Sequence, residues 1–220
     1  MSADRFSSLA ALKEHLGKHG YRIRCLNRRS QLTVISPHGG FIEAGTSAIA
    51  RAVAARNHNL FDFQGLRETD VHEMHVTATH FRDPQLSRML KTSIAAVAIH
   101  GMLVQGHKTI YLGGLNKPLK ALVQDQLTKA GFDVNADPPR WRGEHPKNVV
   151  NMACHMGVQL ELSDEFLTDL FVSKRFLRNG RSPRRTARFR ALVKALRTAI
   201  SIYMQDEQDK ARSCVGSFDE

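Results

Sequence analysis

His38 and Glu43, in the stretch "SPHGGFIEAGT", are the first residues of the chain whose types and spacing could do chemistry. Five positions apart on a helix, an imidazole and a carboxylate would be separated by about 140° and share no face. Across Gly39-Gly40, however, the chain can fold back and aim both side chains at one point. Histidine nitrogen and carboxylate oxygen suit Zn²⁺, and a catalytic zinc usually takes three protein ligands and leaves one position for water. His100, ending the apolar run "SIAAVAIHG", is the expected third ligand. Taken singly, either histidine fits a hydrogen-bonded turn residue just as well, and the metal reading rests on all three reaching the same edge of a sheet. Glu161, in "GVQLELS", is the fourth candidate, because a carboxylate inside an apolar strand needs a partner or a role. It is either a salt-bridged or rim-exposed glutamate, or a general base that takes a proton from water activated by the metal.

The elements that must position these residues read as strands interleaved with helices. "YRIRCLN" and "QLTVISP" are expected strands joined by the polar turn "RRS". A helix follows over Gly45–Ala55, with Thr46 or Ser47 as its cap. "NLFDFQG" and the alternating "MHVTATHF" read as further strands, and Asp83-Pro84 starts a helix through about Thr92. "SIAAVAIHG" has the continuous apolar character of a strand buried on both faces. "KTIYLGGLN" is a strand and a glycine pair before a helix over Lys117–Ala130. "GFDV" and "GVQLELS" add two strands, residues 135–148 form a surface loop, and two helical segments finish the chain. The pattern implies an α/β fold of three layers with a mixed, largely parallel sheet. Sites in such sheets form where loops leave the carboxyl ends of strands, and His38, His100, Gly113-Gly114 and Glu161 are all expected there.

Length and composition set the bounds. The 220 residues are 42% hydrophobic, enough for one domain with a substantial core, extended from about residue 174 by a basic helical region. Lys plus Arg outnumber Asp plus Glu by 32 to 21, and the net charge of +11 favours polyanions as partners. Cys25, Cys154 and Cys214 are few and widely spaced, which excludes a disulfide framework and fits a reducing compartment. The first residues lack the apolar centre of a signal peptide, and no stretch is long enough to span a bilayer. The expected location is the cytoplasm of the producing cell.

Other motifs are excluded or subordinate. "HEMH" places His72 and His75 three apart in a strand-like context, not four apart on a helix as zincins require. There is no Gly-x-Ser-x-Gly elbow, no Walker loop and no dinucleotide fingerprint. His75 and His80 are candidates to line the cleft. The basic run Arg178–Arg190 is either a solvated helix start, a nucleic-acid contact or a guide for a polyanionic substrate. A nucleic-acid-binding or replication-associated protein is therefore the rival to a hydrolase.

The blocks "SPHGGFIEAGTSAIARAVA", "FDFQG", "HVTATHFRDP", "AVAIHG", "YLGGLN" and "GVQLELS", in this order, resemble the poly-γ-glutamate hydrolase family of bacteriophages and bacteria. The likeness runs from about Thr33 to Ser163, with more distant similarity to N-formylglutamate amidohydrolases and zinc carboxypeptidases. It implies a zinc-carboxypeptidase-like peptidase that cleaves γ-glutamyl amide linkages of a polyanionic polymer or peptide. It also implies a prophage origin, for the rival nucleic-acid-binding protein as for the hydrolase, and with it a route of release by host lysis. By matched position, His38, Glu43 and His100 would hold zinc, and Glu161 would be the catalytic carboxylate. The spacing from His38 to Glu43 is longer than the corresponding gap in carboxypeptidases. Where the family carries Asn-Arg, this chain has Asn151-Met152. If that arginine holds the substrate carboxylate, His155, Arg82 and Lys117 are the candidates to replace it.

Overall fold

The computed structural model describes residues 4–103, 106–173 and 184–216. Its centre is a seven-stranded sheet in the order β1-β3-β2-β4-β7-β5-β6. The strands are β1 (Tyr21–Leu26), β2 (Leu32–Gly40), β3 (Asn59–Gly65), β4 (Ala95–Met102), β5 (Ile110–Gly113), β6 (Val134–Asn135) and β7 (Gly157–Ser163). The pairs β3–β2, β2–β4, β4–β7 and β5–β6 are parallel, whereas β1–β3 and β5–β7 are antiparallel. The sheet is thus mixed and largely parallel, as the alternation of elements implies. The polar turn after β1 does not make a hairpin, because β3 lies between β1 and β2.

Helices cover both faces. The α2 (Thr46–Ala54), α4 (Lys117–Lys129), α5 (Asp164–Asp169) and α6 (Ala187–Gly216) helices pack on one face, over Val34, Leu60, Val97, Ile99, Leu160 and Leu162. Leu192, Leu196, Ile200 and Tyr203, at helical spacing on α6, are all buried in that core. The α1 (Leu9–Gly20) and α3 (Pro84–Lys91) helices cover the other face, over Ile35, Phe61, Phe63, Ala96 and Ala98. Asp83 caps α3 as its Asp-Pro start suggests, accepting the Gln85 and Leu86 amides. Among the described residues, no helix is long and apolar enough to cross a membrane.

Two expectations fail for a shared reason. "MHVTATHF" alternates in burial, with Met74, Val76 and Ala78 buried, yet forms no strand. Its backbone groups are satisfied elsewhere: the Ala78 carbonyl accepts the Val149 amide, and the Thr77 carbonyl accepts the His80 amide. The segment caps the sheet instead of joining it. The glycine pair after "KTIYL" also departs from expectation, since β5 runs antiparallel to β7. Gly113 pairs with Gln159, and Gly114 lies against Gly157, so the pair sits toward the amino end of β7, away from Glu161. Apolar patterning reports which face a residue buries, but not whether its backbone pairs or in which direction.

Gly39 and Gly40 do not turn the chain; they continue β2 beside Gln64 and Gly65 of β3. A Cβ on Gly39 would lie 2.6 Å from Asp62 Oδ1 and 2.8 Å from the Phe63 carbonyl, and would also strike Ser47 Oγ. Gly40 adopts φ +70°, which side chains disfavour. The crowding comes from a polar knot: buried Asp62 accepts Ser47 Oγ at 2.6 Å and Gln64 Nε2 at 2.7 Å, and the Ser47 hydroxyl accepts the Gly40 amide at 3.1 Å. Ser47 is therefore occupied here and does not cap α2, whose first position follows a left-handed Gly45.

Replacing Gly39 by Ala should destabilise the fold by about 3 kcal/mol, through overpacking and loss of the knot. Equilibrium urea unfolding measures it. Burial pushes the Asp62 carboxyl above its ordinary value of 3.8, although Ser47, Gln64 and Arg51 oppose the shift. The folded state thus binds this proton more tightly than the unfolded chain, so the contribution of Asp62 to stability falls as pH rises through the folded pKa. Asp62→Asn removes that dependence. Its unfolding free energy should rise relative to that of the parent protein as pH rises from the ordinary value of 3.8 through the folded pKa of Asp62.

Candidate active site

The carboxyl ends of β2, β4 and β7 meet on the face covered by α1 and α3. On β4, Ala96, Ala98 and His100 alternate toward that face, and His100 stands in register with Glu161 of β7. Gln159, two residues before Glu161, points the same way. In β2, Ile35 faces this core, so strict alternation would send His38 to the other side. The register of β2 against β3 slips between Ser36 and Gly39, and this irregularity re-aims His38. Its ring meets Phe81 edge-on at 6.1 Å between centroids.

The chain then loops through Phe41–Gly45, and Glu43 returns to His38. The Glu43 amide donates to the His38 carbonyl at 2.8 Å, and Thr46 Oγ1 donates to the Glu43 carbonyl at 2.8 Å. The Glu43 carboxylate sits at the centre of the cluster. One oxygen lies 2.8 Å from His38 Nδ1, and the other accepts the Gly101 amide at 2.8 Å. His100 Nδ1 is 3.8 Å from Glu43 Oε2, and His75 Nε2 is 4.0 Å from Glu43 Oε1. His38 is 5.0 Å from His100 and 4.1 Å from His75 between ring centroids.

His38, Glu43 and His75 form the tightest group with metal-ligand chemistry, one ligand atom of each lying within 4.8 Å of the others. His100 adjoins this group through Glu43. It is buried, and its Nε2 is a buried polar atom with no hydrogen-bond partner. Such an atom costs stability unless something fills its coordination. The remaining nitrogens are held as ligating histidines commonly are, by a carbonyl or a carboxylate. His38 Nε2 lies 2.8 Å from the Val76 carbonyl, and His75 Nδ1 lies 2.8 Å from Asp4 Oδ1. The donor set and its second contacts therefore fit a divalent cation.

Electrostatics sort these groups. Burial lowers the affinity of His100 and His75 for a proton, and His38 lowers it further, leaving imidazoles with a lone pair to offer. Burial would do the same to His38, but ionised Glu43 outweighs it and the His38 pKa rises. Glu43 is itself driven well below the usual carboxylate range, because His38 and His100 overcome the cost of burial. Glu161 goes the other way. Burial, together with the neighbouring Glu43 charge, raises it well above 4.5 despite a hydrogen bond from Gln159. The two carboxylates are thus driven in opposite directions by their surroundings, a pattern that clusters at functional sites.

The positions of the other sequence candidates differ sharply. His80 is exposed on the turn beyond His75. Arg82 donates to the Lys147 carbonyl at 2.6 Å and so fastens the 75–83 segment to the loop before Asn148. His155 and Lys117 do not belong to the site. His155 precedes β7 and is paired with Glu207 of α6 at 2.7 Å, while its amide bonds the Ile94 carbonyl at the start of β4. Lys117 follows Asn116, which bonds the Gly157 and His155 backbones, so both lie at the amino end of the parallel strands. The antiparallel direction of β5 carries Lys117 there. Asn151 is likewise occupied, holding the Leu115 amide and the Gly143 and His145 carbonyls.

Three supporting residues carry no strong sequence signal. Gln159 Nε2 donates to Glu161 at 2.6 Å, and Gln159 Oε1 accepts Asn148 Nδ2 at 2.9 Å, fixing the carboxyl against the covering loop. The position of Gln159, two before Glu161 in a strand, was the available clue. Asp4 is separated from His75 by 71 residues, and nothing local marks the pair.

Residues 6–195 match the profile of the poly-gamma-glutamate hydrolase family. The chain belongs to that family. It is 31% identical over 174 residues to the SPbeta prophage-derived protein YoqZ of Bacillus subtilis, covering 78% of this chain. The match spans 63% of the length of YoqZ. Its structure is similar to that of a bacteriophage poly-gamma-glutamate hydrolase, with a TM-score of 0.85, 28% identity, and coverage of 92% of this chain and 99% of the other. A zinc-free apo form of YndL is similar at a TM-score of 0.82 and 26% identity, covering 90% and 98% of the two chains. The family match reaches from before α1 into α6 and so takes in every residue of the His38–Glu161 cluster.

Asp4 also accepts the Thr77 amide at 2.5 Å, so both carboxylate oxygens hold the His75 segment. In Asp4→Ala, the Thr77 amide should exchange with solvent at least about tenfold faster, as expected for loss of a hydrogen bond to a charged group. Hydrogen exchange followed by mass spectrometry or NMR reads this directly.

Proposed function

We propose that the chain hydrolyses γ-glutamyl amide linkages, with poly-γ-glutamate as substrate, at a zinc site formed by His38, Glu43 and His100, and that Glu161 is the general base. The observation that carries this is the convergence of imidazole nitrogens on the Glu43 carboxylate beside Glu161, in a chain of the poly-gamma-glutamate hydrolase family.

His100 is preferred to His75 as third ligand on physical grounds. It is fixed on a buried strand next to Glu161, and its second nitrogen has no partner. His75 lies on a covering segment, has 37% of its side chain exposed and is already tied to Asp4. That placement suits contact with substrate. Zinc held by these residues would supply Lewis acidity to the scissile carbonyl and to the attacking water. Glu161 accepts a proton from that water and later delivers it to the leaving amine, a cycle that leaves the enzyme unchanged. Burial and the Glu43 charge raise the proton affinity of Glu161 against the opposing hydrogen bond from Gln159, which also orients it toward the mouth of β4 and β7. His75, with Nδ1–H given to Asp4, presents the lone pair of Nε2 to the same space, where it accepts a hydrogen bond from a substrate N–H.

Metal analysis and polymer cleavage test the roles together. His38→Ala and His100→Ala should lose about one zinc per chain, whereas His75→Ala should retain it and lose activity. Glu161→Gln should keep zinc and the folded spectrum while polymer cleavage falls about 10²- to 10⁴-fold, the usual worth of a general base. Full cleavage by Glu161→Gln would refute the assignment, and zinc lost from His75→Ala but kept in His100→Ala would exchange the two histidines.

A further inference from the structure

On the opposite face of the sheet, β1, α2 and α6 enclose an open groove of about 990 Å³. Its walls carry Arg24, Arg51, Arg185, Arg190, Lys194 and Arg197, and no acidic side chain lines it among the described residues. The floor is apolar, with Phe189, Val193 and Ile202. Arg24 comes from an edge strand, Arg51 from the middle of α2, and Arg190, Lys194 and Arg197 from successive turns of α6. The nearest acid is Asp62, which is fully buried and 4.0 Å from Arg51 Nε. Among the described residues, like charges from three elements are thus crowded around one acidic partner, which lies beneath the surface. Crowding shows in the groups themselves: burial lowers the Arg51 pKa, with Arg24, Arg185 and Arg22 adding to the effect.

We propose that this groove is a second binding site for the substrate polymer, an anchoring surface for poly-γ-glutamate separate from the cleavage site. The inference rests on the hydrolase reading above. Poly-γ-glutamate presents one carboxylate per residue at regular intervals, and arginine forks match carboxylates in a bidentate geometry. A single-stranded nucleic acid is disfavoured, because its binding surfaces offer aromatic rings on which bases stack. Phe189 is the groove's aromatic residue, and it is only 2% exposed beneath Arg185, whose guanidinium lies 4.8 Å from its ring centre. The groove is also placed to help the cleavage site. The α2 helix starts three residues after Glu43, and Arg51 lies about 7.5 Å farther along its axis at 1.5 Å per residue. A polymer held in the groove keeps its neighbouring segments near the carboxyl ends of the strands, so the second contact becomes intramolecular.

The test is binding of fluorescently labelled, long poly-γ-glutamate to the full chain carrying Glu161→Gln, by anisotropy at low and physiological salt. Arg190, Lys194 and Arg197 are exposed, so their combined replacement by Ala leaves the core intact. That triple variant should bind about tenfold more weakly at low salt, three exposed charge contacts being lost, and should show a shallower salt dependence. Arg190→Lys with Arg197→Lys should bind with an affinity between those of the parent and the triple variant, because the charge is kept and the fork is lost. Unchanged affinity in the triple variant overturns the groove. So does a length-matched single-stranded DNA that binds more tightly than the polymer and is the ligand the variant loses. Polymer shortening by the parent chain is scored separately: intact polymer there refutes the hydrolase reading, whereas shortening with unchanged triple-variant binding refutes the groove alone.

Discussion

The Glu43 carboxylate is the constraint on which the cluster depends. It is almost enclosed, and it is kept ionised by what surrounds it: His38 on one oxygen and the Gly101 amide on the other. Those two contacts join the loop after β2 to the end of β4. A buried charge is tolerated only when its partners are fixed, so the loop, the strand end and the imidazole must hold one geometry or all three lose stability. The same charge reaches across to Glu161 and drives its proton affinity upward. One side chain thus organises both the histidines and Glu161.

The fold spends polar residues to keep that geometry. Asp62, Ser47 and Gln64 form a knot directly under the glycine pair, and the slip in β2 register that turns His38 inward lies beside it. A regular strand would send His38 to the face covered by α2. Thr46 and Ser47, placed where helix caps are expected, serve the Glu43 backbone and Asp62 instead. Local rules of helix capping yield here to the demands of the neighbouring site, as expected where chemistry is concentrated.

Much of this was legible in the residues. The apolar run before His100 and the alternation around Glu161 placed two strands, and their parallel pairing brought His100 and Glu161 into register. The return of Glu43 to His38 was expected from the glycines, although the reversal comes after them, through Phe41–Gly45. What escaped was strand direction and long-range pairing. An antiparallel β5 looks the same in sequence as a parallel one, and it carried Lys117 to the wrong end. His75 was read as a strand residue near the cleft; it reaches the cluster because its segment leaves the sheet and caps it. Arg178 and Arg181 of the basic run lie outside the described residues, while Arg185 and Arg190 line the groove between α2 and α6.

Asp4 ties one histidine of the cluster to the segment that precedes α1. Its carboxylate reaches His75 across 71 residues and also accepts the Thr77 amide. The partner that orients His75 therefore lies outside the sheet that fixes His38, His100 and Glu161. Fraying of that short segment would free His75 while those three and Glu43 keep their places, so the cluster can be loosened at one histidine without disturbing the sheet.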